Sequence, residues 1–191
     1  RVPTDLGIKF YAERSVENAS AGPRSSSWED MFDARDWGKM LHDFSRDFGM
    51  VGVLAEQSFG NIQKDGLEYL FDRLDIDSRD ELSEVVRDIE EIEERISSAK
   101  NILNGENFLD VFVGRNPITQ SSYLSVMAAD YDVGPQKVFF FAIGPKRMDY
   151  EKTAKAFKGM KKKELGIKNK ESGINRIKRK KLDGDIGRRK L

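Results

Sequence analysis

Apolar residues recur three and four positions apart along some stretches of the chain and run together in others, so helices and strands separate on periodicity. Arg1-Val-Pro-Thr-Asp-Leu-Gly7 leads into Ile8, Phe10 and Tyr11, an aromatic-rich opening that predicts a short helix, with Thr4 or Asp5 as its cap. Residues 15–27, rich in Ser, Ala, Asn, Gly and Pro, read as an exposed linker. A helix is predicted over 28–48, because Trp37, Met40, Leu41, Phe44 and Phe48 share one face. Gly38 weakens it and Gly49 stops it. Residues 50–55 then form a short buried strand.

Further on, Leu67, Leu70 and Phe71 place one helix over 63–71, and 75–80 is a polar connection. A longer helix is predicted over 79–100, where Leu82, Val85, Val86, Ile89, Ile92, Ile96 and Ala99 make a stripe opposite an acidic face. Such a helix is marginal alone, so the stripe requires a sheet or a partner to pack against. Residues 101–107 form a polar turn, and 109–113, 123–130 and 137–143 read as three strands. The last two are joined by a hairpin through Asp132-Val-Gly-Pro135. Pro145 ends the pairing for want of an amide hydrogen, and 149–157 forms a closing helix. The fold class is α+β, an antiparallel sheet with helices on one side.

Composition then narrows the chemistry. The chain has 191 residues, room for one domain with extensions. There is no cysteine, which removes disulfides, thiolate nucleophiles and cysteine-bound zinc. His42 is the single histidine, so a histidine cluster cannot form within one chain. No apolar run approaches the roughly 20 residues that span a bilayer, and no signal-peptide pattern opens the chain. The start at Arg1, not at a methionine, is what is expected of a fragment or a processed product.

The formal net charge of zero hides a split. Residues 1–157 carry 19 Lys and Arg against 29 Asp and Glu, whereas 158–191 carry 14 against 4. The basic end, 158–191, is therefore expected to be a disordered tail. Its Lys161, Lys162, Lys163, Arg176, Lys178, Arg179, Lys180, Lys181, Arg188, Arg189 and Lys190 are candidate nonspecific nucleic-acid contacts, working through phosphate charge.

Few residues offer catalysis. His42 lies among Asp36, Asp43 and Asp47, but beside core-facing Leu41 it reads as a boundary residue. Asp88, Glu90, Glu91, Glu93 and Glu94 lack the order of a calcium loop and read as a solvated helix face. Gly49, Gly52 and Gly60 do not form a phosphate loop. Ile143-Gly-Pro-Lys-Arg-Met-Asp-Tyr150 reads as a rigid strand-to-helix junction. In it Gly144 and Pro145 shape the turn, Asp149 caps the next helix and Arg147 supplies a pairing cation. These readings assign no catalytic, metal or cofactor residue, and no cofactor.

Four segments together resemble one family. Arg1-Val-Pro-Thr-Asp-Leu-Gly-Ile-Lys-Phe-Tyr11 resembles the junction motif of the bacterial heat-inducible transcription repressor HrcA. Ile62-Gln-Lys-Asp-Gly-Leu-Glu-Tyr-Leu-Phe71, Gly114-Arg-Asn-Pro117 and the 143–150 corner are similar to further segments of that family, in family order over about residues 1–158. The residues carrying the likeness are Arg1, Pro3, Thr4, Gly7, Gly66, Leu67, Gly114, Asn116, Pro117, Gly144, Pro145, Arg147, Met148, Asp149 and Tyr150.

The resemblance implies a cytoplasmic, non-enzymatic repressor of chaperone genes. Its expected partners are a second copy in a homodimer, an inverted-repeat operator DNA and the chaperonin GroEL, with no membrane. It implies a junction over 1–27 after a winged-helix domain that this sequence lacks, and a shortened GAF-like body over 28–157. The stretch between residue 55 and Ile62 is much shorter than the family's, where an inserted dimerisation subdomain is expected. Two other readings stand beside this one: a small-molecule sensor or structural scaffold, and a nonspecific nucleic-acid binder acting through the tail.

Overall fold

The computed structural model describes residues 4–20, 32, 35–58, 60–98 and 108–161. Helix α1 (Asp5–Asn18) starts at Thr4, whose hydroxyl accepts the Gly7 amide hydrogen at 3.3 Å. It continues through residues 15–18, which the composition assigned to a linker; residues 21–27 lie outside the described set. Helix α2 (Trp37–Phe48) is shorter than the predicted 28–48. Its start is set by Arg35, which takes a positive φ of 59°, and by Asp36, whose carboxylate accepts the Lys39 amide hydrogen. Gly49 ends α2 in the left-handed region at φ 65°, as expected of a helix stop.

Strands β1 (Val51–Glu56) and β2 (Ile62–Asp65) pair antiparallel, and α3 (Leu67–Phe71) follows. The single helix expected over 63–71 is thus a strand and a helix. Gln63 and Lys64 pair with Leu54 and Val53, and Gly66 at φ 100° separates the two elements. The long helix expected over 79–100 is also divided, into α4 (Arg79–Glu90) and α5 (Ile92–Ser98). The bend at Glu91 leaves Val85, Ile89, Ile92 and Ile96 all buried in one core. Ala99, Lys100 and the turn expected over 101–107 lie outside the described residues.

Strands β3 (Leu109–Val113), β4 (Leu124–Val133) and β5 (Gln136–Pro145) complete an open antiparallel sheet in the order β2-β1-β5-β4-β3. The β4–β5 turn is Gly134-Pro135. Gly134 supplies the positive φ of 63° that a two-residue hairpin needs at its first position. A last helix, α6, occupies residues 150–161.

The expectation of helices on one side is corrected: they cover both faces. Helices α1, α2 and α6 pack on one, with Ile8, Ala12, Met40, Leu41, Phe44, Ala154 and Phe157 against Leu54, Met127, Tyr131 and Phe140. Helices α3, α4 and α5 pack on the other, with Leu70, Val85, Ile89, Ile92 and Ile96 against Val53, Val126, Phe139, Phe141 and Ile143. The cause is visible in β4 and β5, whose apolar runs are buried residue after residue, leaving no strand face for water. Among the described residues no helix is long and apolar enough to cross a membrane.

Candidate functional site

Three of the four family-like segments meet at the amino end of α1. Asp5, in its first turn, is paired with Lys146 of the β5–α6 corner at 2.5 Å. Gly114 lies directly beneath the same carboxylate. It has φ 66°, and a Cβ added there would stand 2.8 Å from Asp5 Oδ2. The Gly114 amide donates to Leu124 O and the Lys146 amide to Tyr123 O, so loop and corner are stitched to the same end of β4.

Beneath them, the buried Tyr150 hydroxyl donates to Lys146 O at 2.7 Å and lies 2.8 Å from Ser125 Oγ. Burial pushes its pKa up to about 12. The ring of Tyr11 meets that of Tyr150 edge-on at 6.4 Å. Gly144 sits where a Cβ would press on the thioethers of Met50 and Met148, and Asp149 caps α6 by accepting the Lys152 amide hydrogen at 2.9 Å. Lys146, rather than the exposed Arg147, makes the ion pair of this corner.

The other end of α1 is held in a second way. Lys158 of α6 donates to the carbonyl oxygens of Val16 and Ala19, at 2.5 and 2.8 Å. An acid at the amino end and a cation at the carboxyl end both suit the helix dipole. Between these clamps Ile8, Ala12 and Ser15 face inward, while Leu6, Phe10 and Tyr11 are 78%, 60% and 61% exposed. An open groove of about 460 Å³ runs between α1 and edge strand β3, lined by residues that include Lys9, Glu13, Glu17, Asp110 and Lys158.

The Gly114–Pro117 loop is a braced structure. Asn116 accepts from the amides of Ile118 and Thr119 and donates to Gly114 O. Beyond it, α4 grips the chain with three carboxylates. Asp88 accepts the amide hydrogens of Gln120 and Ser121 at 2.8 and 3.0 Å, Glu84 accepts that of Ser122, and Glu81 accepts the Tyr123 hydroxyl at 2.7 Å. The last bond holds the Glu81 carboxyl below its ordinary pKa. The solvated-face reading therefore fails for Asp88, which is 2% exposed and paired with Arg95. Glu91 also pairs with Arg95 and Glu93 with Lys64, while Glu90 is exposed.

Gly66 and Leu67 stand apart from the corner. Gly66 packs under Ser45, whose hydroxyl donates to Asp65 O and accepts the Gly52 amide hydrogen. His42 is exposed, and the carboxylate it meets is Asp65, at 3.0 Å. Arg1, Pro3 and the tail from Lys162 lie outside the described residues. Lys161 belongs to α6, with its ammonium 3.9 Å above the Phe108 ring. No local pattern marks Lys158 or Asp5 for these contacts: Lys158 opens the basic stretch, and Asp5 has the position of a helix cap. The arrangement is suited to fixing one helix on a body, and joins no nucleophile to a base.

The family model described as "HrcA protein C terminal domain" matches residues 24–154 of the chain. No curated protein matches it. Among solved structures, one titled "Crystal structure of a hypothetical protein at 2.2 A resolution" is similar, with a TM-score of 0.53 and 11% identity. The match covers 83% of this chain and 80% of the other. At that identity the likeness is one of fold.

Proposed function

The chain belongs to the family of the HrcA C-terminal domain, whose members are transcription regulators and not enzymes, and from that membership we infer the role of its body. Residues 28–157 form a GAF-like body that holds paired DNA-reading modules at a fixed separation. Those modules are winged helices joined through residues 1–27 and α1. Two copies form a homodimer that selects an inverted-repeat operator of chaperone genes, since two-fold protein symmetry matches two-fold DNA symmetry. The protein acts in the cytoplasm, GroEL assists the active repressor, and warming weakens the assembly so that transcription resumes.

The observation that carries this reading is the double clamping of α1. Asp5–Lys146 at one end and Lys158 at the other fix the angle at which α1 leaves the body. A module joined to α1 inherits that angle. Apolar side chains buried on both sheet faces support a scaffold role for the body.

The test uses the complete natural protein and its inverted-repeat operator. Lys146→Ala combined with Lys158→Ala is expected to weaken operator binding about tenfold or more, with the fold retained, because loosened modules lose their register. Unchanged affinity in that variant, or full affinity from a monomer, would overturn the proposal.

A further inference from the structure

A second cluster joins exposed His42 of α2 to two acids of the family-like segment 62–71, and the proposed repressor role makes no use of it. His42 of α2, Asp65 at the end of β2 and Glu68 of α3 bring one ligand atom each to within 4.8 Å of the others. We propose that His42, Asp65 and Glu68 bind a divalent first-row metal ion of the zinc class, which ties α2 to the β2–α3 turn.

Donor chemistry selects the ion. One imidazole nitrogen and two carboxylates suit zinc, cobalt or nickel better than calcium or magnesium, which take oxygen ligands. Distance is the second argument. His42 Nδ1 and Asp65 Oδ2 are 3.0 Å apart. Two ligands held about 2.0–2.2 Å from one zinc ion at near-right to tetrahedral angles stand roughly 2.8–3.5 Å from each other. The pair is thus already at the separation of two donors on one ion, with Glu68 as the third.

The surroundings prepare the ligands. Asp65 Oδ1 accepts the Gly66 amide hydrogen at 2.7 Å, which fixes the carboxylate and leaves Oδ2 facing His42. The main chain at that point is anchored by Ser45 through Asp65 O. On the far side of the imidazole, Nε2 lies 3.4 Å from the Tyr69 hydroxyl. A metal-binding histidine usually donates its second ring N–H to an oxygen, which sets the tautomer. Tyr69 fills that place. When the metal is bound, the neutral imidazole gives its Nδ1 lone pair to the ion and carries its one proton on Nε2, moved there by exchange with solvent, where it donates to the tyrosine oxygen. Partial exposure of His42, Asp65 and Glu68 leaves an entry path and room for water on the ion.

Tag-free protein titrated with Co²⁺ alone is expected to develop visible d–d absorption at one ion per chain, bleached by added Zn²⁺, and Zn²⁺ alone is expected to raise the thermal midpoint. His42→Ala and Glu68→Gln should each abolish the absorption, and Tyr69→Phe should weaken binding about tenfold. Glu68→Gln leaves the His42–Asp65 contact untouched, so it carries the test should His42→Ala not fold. No absorption in the unaltered protein overturns the site and leaves a plain His–Asp contact, and absorption that persists in Glu68→Gln overturns it by placing the ion on other ligands. Neither result bears on operator binding.

Discussion

Asp88 shows how far the role of one residue depends on what lies above it. In the sequence it is the first of a crowd of acids. In the structure it is a buried carboxylate joining Arg95 to the amides of Gln120 and Ser121. Asp88→Ala would leave a largely buried guanidinium and two amides short of their acceptor. A loss of about 3–5 kcal/mol is expected in urea unfolding. Glu90→Ala, a few residues away and exposed, should change stability by no more than about 0.5 kcal/mol.

Asp110 behaves in the opposite sense. Burial, and then the nearby charge of Asp130, raise its carboxyl pKa above the ordinary value. The native state therefore holds this proton more tightly than the unfolded chain does. Stability falls as pH rises from the ordinary carboxylate range through the raised value, and the cost remains above it. Asp110→Asn is expected to raise the thermal midpoint at neutral pH, with the difference closing in acid. An equal difference at both pH values would count against this cause. Neither carboxylate could be told from its neighbours by residue type, because burial is decided by chain segments far away in sequence.

At the scale of elements, periodicity identified what is local. The apolar face of α2, the Gly49 stop, β1, β3, the β4–β5 hairpin and the capped start of α6 are all written in short stretches, and the structure bears them out. Where it differs, a tertiary contact overrode a local pattern. Residues 63–65 follow β1 into the sheet, and α4 breaks at Glu91 so that Ile89 and Ile92 both reach the core. The candidate site was legible as motifs but not as a place. Nothing in the spacing announces that Asp5 meets Lys146, or that Lys158 reaches back to α1.

The clamps predict a local effect. Lys158→Ala removes the donor to two carbonyl oxygens at the end of α1. Faster amide hydrogen exchange is expected across α1, with the amides of β4 and β5 unchanged. Faster exchange in the sheet as well would show that α1 is part of the global core and not a separately held element.

For the whole molecule, charge and topology act separately. The cations from 158 onward oppose the acidic remainder, and the family match ends at residue 154. Deleting residues 162–191 is expected to lower affinity for nonspecific duplex DNA at low salt and to flatten its salt dependence, with the thermal midpoint unchanged. Fluorescence anisotropy at two ionic strengths and a melting curve decide it. A preserved salt slope would place the phosphate contacts in the body.

Topology bears on how the body melts. Strands β1, β4 and β5 turn one set of side chains to each helical layer, so one group of strands is the shared partition of two compartments. Stripping either layer wets one side of the partition and weakens the other compartment with it. Melting of such a body is expected to be all-or-none, and the proposed repressor would then lose its grip over a narrow span of degrees, as a switch and not as a dial.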